Sequence, residues 1–141
     1  MVMYKFRTRN YDNLQIAAMK QLYPKCSYSK ENGQVLFTVW LKVLDTLPEY
    51  KVRIIYRGNL PPKVFILSPQ ILEHAKHTYS DGSLCLYHSS NFKWKASKLI
   101  AYEIVGWTAA WIYFYEYWLQ TGKWIAAEVP HSNQKVINNV Q

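Results

Sequence analysis

Two runs of strictly alternating residues constrain this chain more than any other feature. In "GQVLFTVWLKV", residues 33–43, the apolar positions Val35, Phe37, Val39, Leu41 and Val43 fall every second residue. Successive side chains of a strand point to opposite faces, so these five share one face. "YKVRIIYRG", residues 50–58, repeats the pattern, with Val52, Ile54 and Tyr56 directed inward and Lys51, Arg53 and Arg57 outward. The connection "LDTLPE" is short enough for an antiparallel hairpin. One sheet face therefore has to be covered by something apolar, and the flanking segments supply it.

The segment ahead of the hairpin, residues 11–23, places Leu14, Ala17, Ala18 and Leu22 at helical spacing. Asn10 or Asp12 suits its start, and Pro24 ends it. After the hairpin, "NLPPKVFILSP" holds two prolines, which cannot donate ladder hydrogen bonds. It reads as a turn feeding a short edge strand, Val64–Leu67. Residues 68–90 look irregular apart from Leu84-Cys85-Leu86.

The last large element is a helix expected from Ala96 to Leu119. Ile100, Ile104, Trp107, Trp111, Phe114 and Trp118 line its wide apolar stripe, and Glu103, Ala110, Tyr113 and Gln120 its narrower outer one. Gly122 stops it and "TGKW" turns the chain. The apolar stretch 99–119 has the length of a membrane span. Glu103 and Glu116 inside it, and aromatic residues throughout rather than at its ends, argue for a buried helix. The layout is α+β: an N-terminal helix, an antiparallel meander, a long loop and an aromatic C-terminal helix. With no repeat and no Gly/Ser linker, residues 1–141 are expected to form a single domain, with 131–141 as a loosely held polar tail.

The chain carries 17 basic against 9 acidic side chains, a net charge of +8. That balance favours acidic partners. The basic residues are scattered with no run of five or more, so nucleic-acid binding is not the expected main role. Two cysteines, Cys26 and Cys85, and an N-terminal "MVMYKFRTRN" without a signal-like apolar run point to a reducing cytoplasm.

Chemistry-bearing residues gather in the loop before the last helix: His74, His77, Asp81, Cys85 and His88 within fifteen residues. His74 and His77, and again Cys85 and His88, are three apart, a spacing compatible with a small zinc-binding domain. Cys85 between two leucines is equally a small buried hydrophobe. Third, it is a nucleophile, given help from His77 or His88 and close backbone approach at Gly82. Spacing leaves all three open.

"YRGNLPPKVFILSP", "HAKHTYSDGSLCLY" and "NFKWKASKLI", in that order, resemble the ubiquitin-conjugating (UBC-like) enzymes over roughly residues 11–119. "DGSLCL" is similar to that family's cysteine box. The family's His-Pro-Asn tripeptide is missing, with Ala75, Lys76 and His77 at its place. The C-terminal half, with "YEYWLQTGKW" and "EVPH", resembles bacterial members lacking the tripeptide. Some of these stand beside cGAS-like nucleotidyltransferases in antiphage (CBASS) systems.

The resemblance implies a UBC-like fold and a thiol transferase. Cys85 would carry a protein C-terminus, such as that of a cGAS-like nucleotidyltransferase, as a thioester and pass it to an amine. His77 then either supports the oxyanion, with its neutral imidazole also able to accept the amine's proton as a base, or ties down the loop. Tyr79, Asp81 and His88 shape the pocket, Asn91 and Trp94 support it, and His131 matches the histidine that closes the bacterial pattern. No cofactor or metal is implied. No nucleotide-binding loop is visible in the chain, so a separate activating enzyme or a direct route would energise the donor. A non-catalytic UBC-like adaptor, docking on an acidic partner by charge, is the rival from another class.

Overall fold

The computed structural model describes residues 10–125. His131 and the 131–141 tail lie outside them. Helix α1 (Asp12–Leu22) is followed by four strands, β1 (Ser27–Glu31), β2 (Gln34–Leu41), β3 (Tyr50–Arg57) and β4 (Leu60–Ser68). An irregular segment then leads into helix α2 (Val105–Thr121), entered through a π-helical turn, Ile100–Ile104. The strands form an antiparallel meander in the order β1-β2-β3-β4. This is the α+β class expected from the sequence.

The alternation in β2 and β3 translates directly into burial. Val35, Phe37, Val39, Leu41, Tyr50, Val52, Ile54 and Tyr56 are all buried and face the helices. In register, Phe37 pairs with Ile54 and Val39 with Val52, so the two stripes merge into one apolar surface. β1 has no counterpart in the hydrophobic pattern, because all five of its residues are exposed. Only its pairing with β2 makes it a strand.

β4 corrects the expectation of a short strand over Val64–Leu67: it begins at Leu60 and includes both prolines. They are tolerated because β4 is the outermost strand. The β3–β4 register also slips between Ile55 and Arg57, opposite the prolines, so no ladder donor is missed there.

The helices carry two further corrections. In α1 the buried residues are Gln15 and Met19, while Leu14 and Leu22 are exposed. Asn10 accepts a hydrogen bond from the Asp12 N–H at 2.8 Å just ahead of the helix, while the N-cap position, Tyr11, supplies no side-chain cap. The last helix begins at Ile100, not Ala96. An α-helix running back to Ala96 would use the Ile100 N–H on the Ala96 carbonyl. Instead, that N–H donates to Gln15 Oε1 at 2.9 Å. Gln15 Nε2 in turn donates to the carbonyls of Ala96 (3.1 Å) and Lys98 (2.6 Å). Gln15 thus supplies the cap from another helix and fixes where the last one starts.

The buried face comprises Ile100, Ala101 and Ile104 of the π-helical turn and Val105, Thr108, Trp111, Ile112 and Tyr115 of α2. Trp107, Phe114 and Trp118 flank it, half-buried. Gly122 ends the helix at φ 77°, its N–H bonded to the Trp118 carbonyl at 2.8 Å. That left-handed residue turns Trp124 back onto Trp111, Phe114 and Trp118. Among the described residues no helix is long and apolar enough to cross a membrane.

Candidate active site

The loop between β4 and α2 is less irregular than its composition suggests. Thr78 and Leu84 form an isolated antiparallel bridge. Around it, the Tyr79 N–H donates to the Ser83 carbonyl (2.8 Å) and the Cys85 N–H to the His77 carbonyl (2.8 Å). Gly82, at φ 90°, closes the tip with its N–H on the Tyr79 carbonyl (2.9 Å). A side chain at that φ would be strained, so glycine is what the turn requires. This small ribbon is stitched to the sheet by the Leu84 N–H, which donates to the Val64 carbonyl at 2.9 Å. Leu84 is buried in the core, and the next residue, Cys85, is half-buried.

Cys85 lies in the wall of an open cleft of about 420 Å³. Arg57, Pro61, Pro62 and Lys63 from the β3–β4 turn form one side. Tyr79, Asp81 and the segment Ser83–Ser89 form the other.

His77, Tyr79, Asp81 and His88 come to this neighbourhood in different ways. His77 adopts φ 58°, a left-handed conformation uncommon for a residue with a side chain. Its carbonyl accepts both the Cys85 N–H and the Trp111 Nε1–H (3.1 Å), and its ring packs on Trp124 at 4.9 Å. The backbone of His77 therefore clamps the cysteine to α2. Tyr79 lines the same cleft as Cys85, and the neighbouring cysteine, with burial, pushes the phenol up to about 12.

Asp81 accepts from the Ser83 N–H (2.9 Å) and Oγ–H (2.6 Å) on one oxygen, and from Lys63 Nζ (2.6 Å) on the other. The Lys63 ammonium, then the two Ser83 donors, hold its carboxyl well below the usual carboxylate range. A carboxylate so engaged is a turn-builder and a poor base. His88 receives the Ser90 N–H on Nδ1 at 3.1 Å, with Ser90 Oγ 2.7 Å from the same nitrogen.

Asn91 and Trp94 stand apart from the cleft. Asn91 is exposed, and its N–H donates to the His88 carbonyl (2.9 Å). Trp94 donates from Nε1 to the Gly58 carbonyl (2.8 Å) and stacks edge-on to Tyr56, bracing the end of β3. His74 turns away against Trp118. Among the described residues no three His, Cys, Asp or Glu converge as a metal-binding group, so the zinc reading finds no ligand set.

Sequence reasoning missed Arg57, Lys63 and Tyr87 as neighbours of the cysteine. Tyr87, next but one to Cys85, is raised by burial and then by the cysteine's charge, and packs on Phe92 and Trp107.

The family model for the Type II CBASS E2 protein matches residues 15–132. The chain belongs to that family. No curated protein matches it. Membership ties this E2-family protein to an E2-like role in CBASS antiphage systems and implies a protein partner within such a system. The antiparallel four-stranded sheet with its two helices is consistent with a UBC-like fold.

Proposed function

We propose that Cys85 is the nucleophile of a ubiquitin-conjugating-like thiol transferase. It takes a protein C-terminus as a thioester, that of a cGAS-like nucleotidyltransferase in the CBASS setting, and passes it to an amine. The observation that carries this reading is the placement of the thiol. It stands half-buried in the wall of an open cleft, on a backbone held by hydrogen bonds to the His77 carbonyl and, through Leu84, to β4. A buried structural cysteine has no need of an open approach, as Cys26, in the core, illustrates. Arg57 and Lys63 at the rim favour an acidic donor segment. His77 serves as the loop tie, through its carbonyl, in place of the absent tripeptide.

The test is adduct chemistry. A Cys85-dependent adduct with the donor protein should be cleaved by hydroxylamine. Cys85→Ser should convert it to a resistant ester or abolish it. An adduct that persists unchanged in Cys85→Ala overturns the mechanism. The net charge of +8 favours a second reading, a non-catalytic adaptor docking by electrostatics. Binding with steep salt dependence and no covalent adduct would select it.

A further inference from the structure

We propose that Lys63 selects donors with an acidic residue near their C-terminus and that Asp81 is its internal competitor: the donor's carboxylate takes Lys63 over from Asp81 as the C-terminus enters the cleft. The inference rests on the thioester reading above and names the donor chemistry of that site.

The ion pair spans the cleft. Lys63 belongs to the wall around the β3–β4 turn and Asp81 to the wall that carries Cys85, and their charged groups meet at 2.6 Å. The topology also sets the pair beside the nucleophile. The Leu84 N–H is bonded to the Val64 carbonyl at 2.9 Å, and both of those residues are buried. Cys85 follows Leu84 and Lys63 precedes Val64, so the two flank that bond and line the cleft together. The Lys63 and Asp81 side chains are 40 % and 39 % exposed, and a pair so solvated is weak enough to exchange partners. Among the described residues that line the cleft, Asp81 is the sole carboxylate. Arg57 adds positive charge, but its Nε (2.9 Å) and Nη2 hold the Pro61 carbonyl of its own turn. Lys63 is therefore the cation whose partner a donor can replace.

Asp81 divides its two oxygens between separate tasks. Oδ1 accepts from the Ser83 N–H (2.9 Å) and Oγ–H (2.6 Å), while Oδ2 accepts from Lys63 Nζ. When a donor carboxylate takes Nζ, Oδ2 passes to water and the Oδ1 bonds keep the turn ahead of Cys85 in place. The lysine is paired before and after, so an acidic donor replaces one charge-assisted bond by another. A neutral side chain that enters breaks the pair without replacing it, and a basic one meets the like charges of Arg57 and Lys63. Selectivity is the difference between these exchanges. The same division of labour supplies a clean substitution. Asparagine at position 81 retains an oxygen for both Ser83 donors and turns a neutral amide toward Lys63, so the turn stays and the competitor goes.

The experiment is a competition for Cys85. Pairs of glycine-terminated peptide thioesters of N-acetylcysteamine, a neutral leaving thiol, differ only in glutamate against glutamine at one position, moved stepwise back from the glycine; one of each pair carries a heavy-isotope label. In charging, the Cys85 sulfur attacks the carbonyl and a new C–S bond forms. N-acetylcysteamine leaves with the electron pair of the bond that breaks and takes up the thiol proton. An equimolar pair competes for limiting protein, and the masses of the adducts give the ratio of charging rates, which a misfolded fraction does not alter. At the position that reaches Lys63, wild type should prefer glutamate by about two- to fivefold, the range of an exposed ion pair. Asp81→Asn should widen that preference by about twofold or more. Lys63→Met should remove most of it, and adding Asp81→Asn to Lys63→Met should widen nothing. A preference unchanged by Asp81→Asn, or an equal widening in the Lys63→Met background, overturns the exchange and leaves the thioester reading standing. A wild-type protein that takes up neither peptide on Cys85 overturns both.

Discussion

Replacing Gln15 by leucine tests how the last helix is positioned. Gln15 is fully buried and makes three hydrogen bonds to the segment that enters that helix. Leucine occupies a similar volume, so the cavity term is small and the polar term dominates. The Ala96 carbonyl keeps the Tyr56 hydroxyl at 2.9 Å and is not orphaned. The Ile100 N–H and the Lys98 carbonyl each lose the Gln15 partner, at about 1–3 kcal/mol for a buried group left unpaired. The second is only part-buried, so the sum is about 2–4 kcal/mol. For a domain of this size that corresponds to a fall in Tm of roughly 10 °C.

Urea unfolding followed by circular dichroism measures the loss directly, and an unchanged m-value would place the effect in the native state. A loss under about 1 kcal/mol would refute the reasoning. It would mean that the helix extends backward, re-pairing the Ile100 N–H with the Ala96 carbonyl. Amide exchange at Ile100 would reveal that directly.

Two further predictions concern the loop. At the left-handed His77, glycine relieves strain where alanine cannot, so His77→Gly should be more stable than His77→Ala by about 1 kcal/mol; equal stabilities by thermal unfolding would remove the backbone role. If His77 is a tie rather than an oxyanion donor, lysine discharge of charged His77→Gly should also stay close to wild type. For Asp81, the folded carboxyl lies below its unfolded value, so its contribution is present above the ordinary Asp range near pH 4 and is lost as pH falls through the lower folded value. Carboxyl titration by NMR should show Asp81 still ionised where other aspartates protonate. Lys63→Met should move it upward, and an unmoved titration would exclude the ion pair as its main cause.

Much of the fold was legible in the residues themselves. Alternation in β2 and β3 is a local property, since a strand must present every second side chain to one face, and it predicted both strands, their hairpin and their buried set. Gly122 ended its helix because only the backbone near it decides a left-handed cap. The cysteine box located Cys85 on a loop, with Gly82 marking the close backbone turn that precedes it.

What the sequence withheld depends on partners distant along the chain. β1 exists as a strand because β2 lies beside it, and no hydrophobic pattern marks a strand exposed along its whole length. Gln15 looks like a surface residue until the carbonyls of Ala96 and Lys98, more than eighty residues later, enclose it. Leu14 is exposed for the same reason: the core accepts whichever face its neighbours can satisfy, polar atoms included. At the site, sequence spacing grouped five titratable residues, but spacing carries no direction. The tertiary structure sends His74 to Trp118, spends Asp81 on Ser83 and Lys63, and turns the His77 carbonyl to Cys85. It also sets Tyr79 and Cys85 in the wall of one cleft, because the antiparallel ribbon that carries them is stitched to β4.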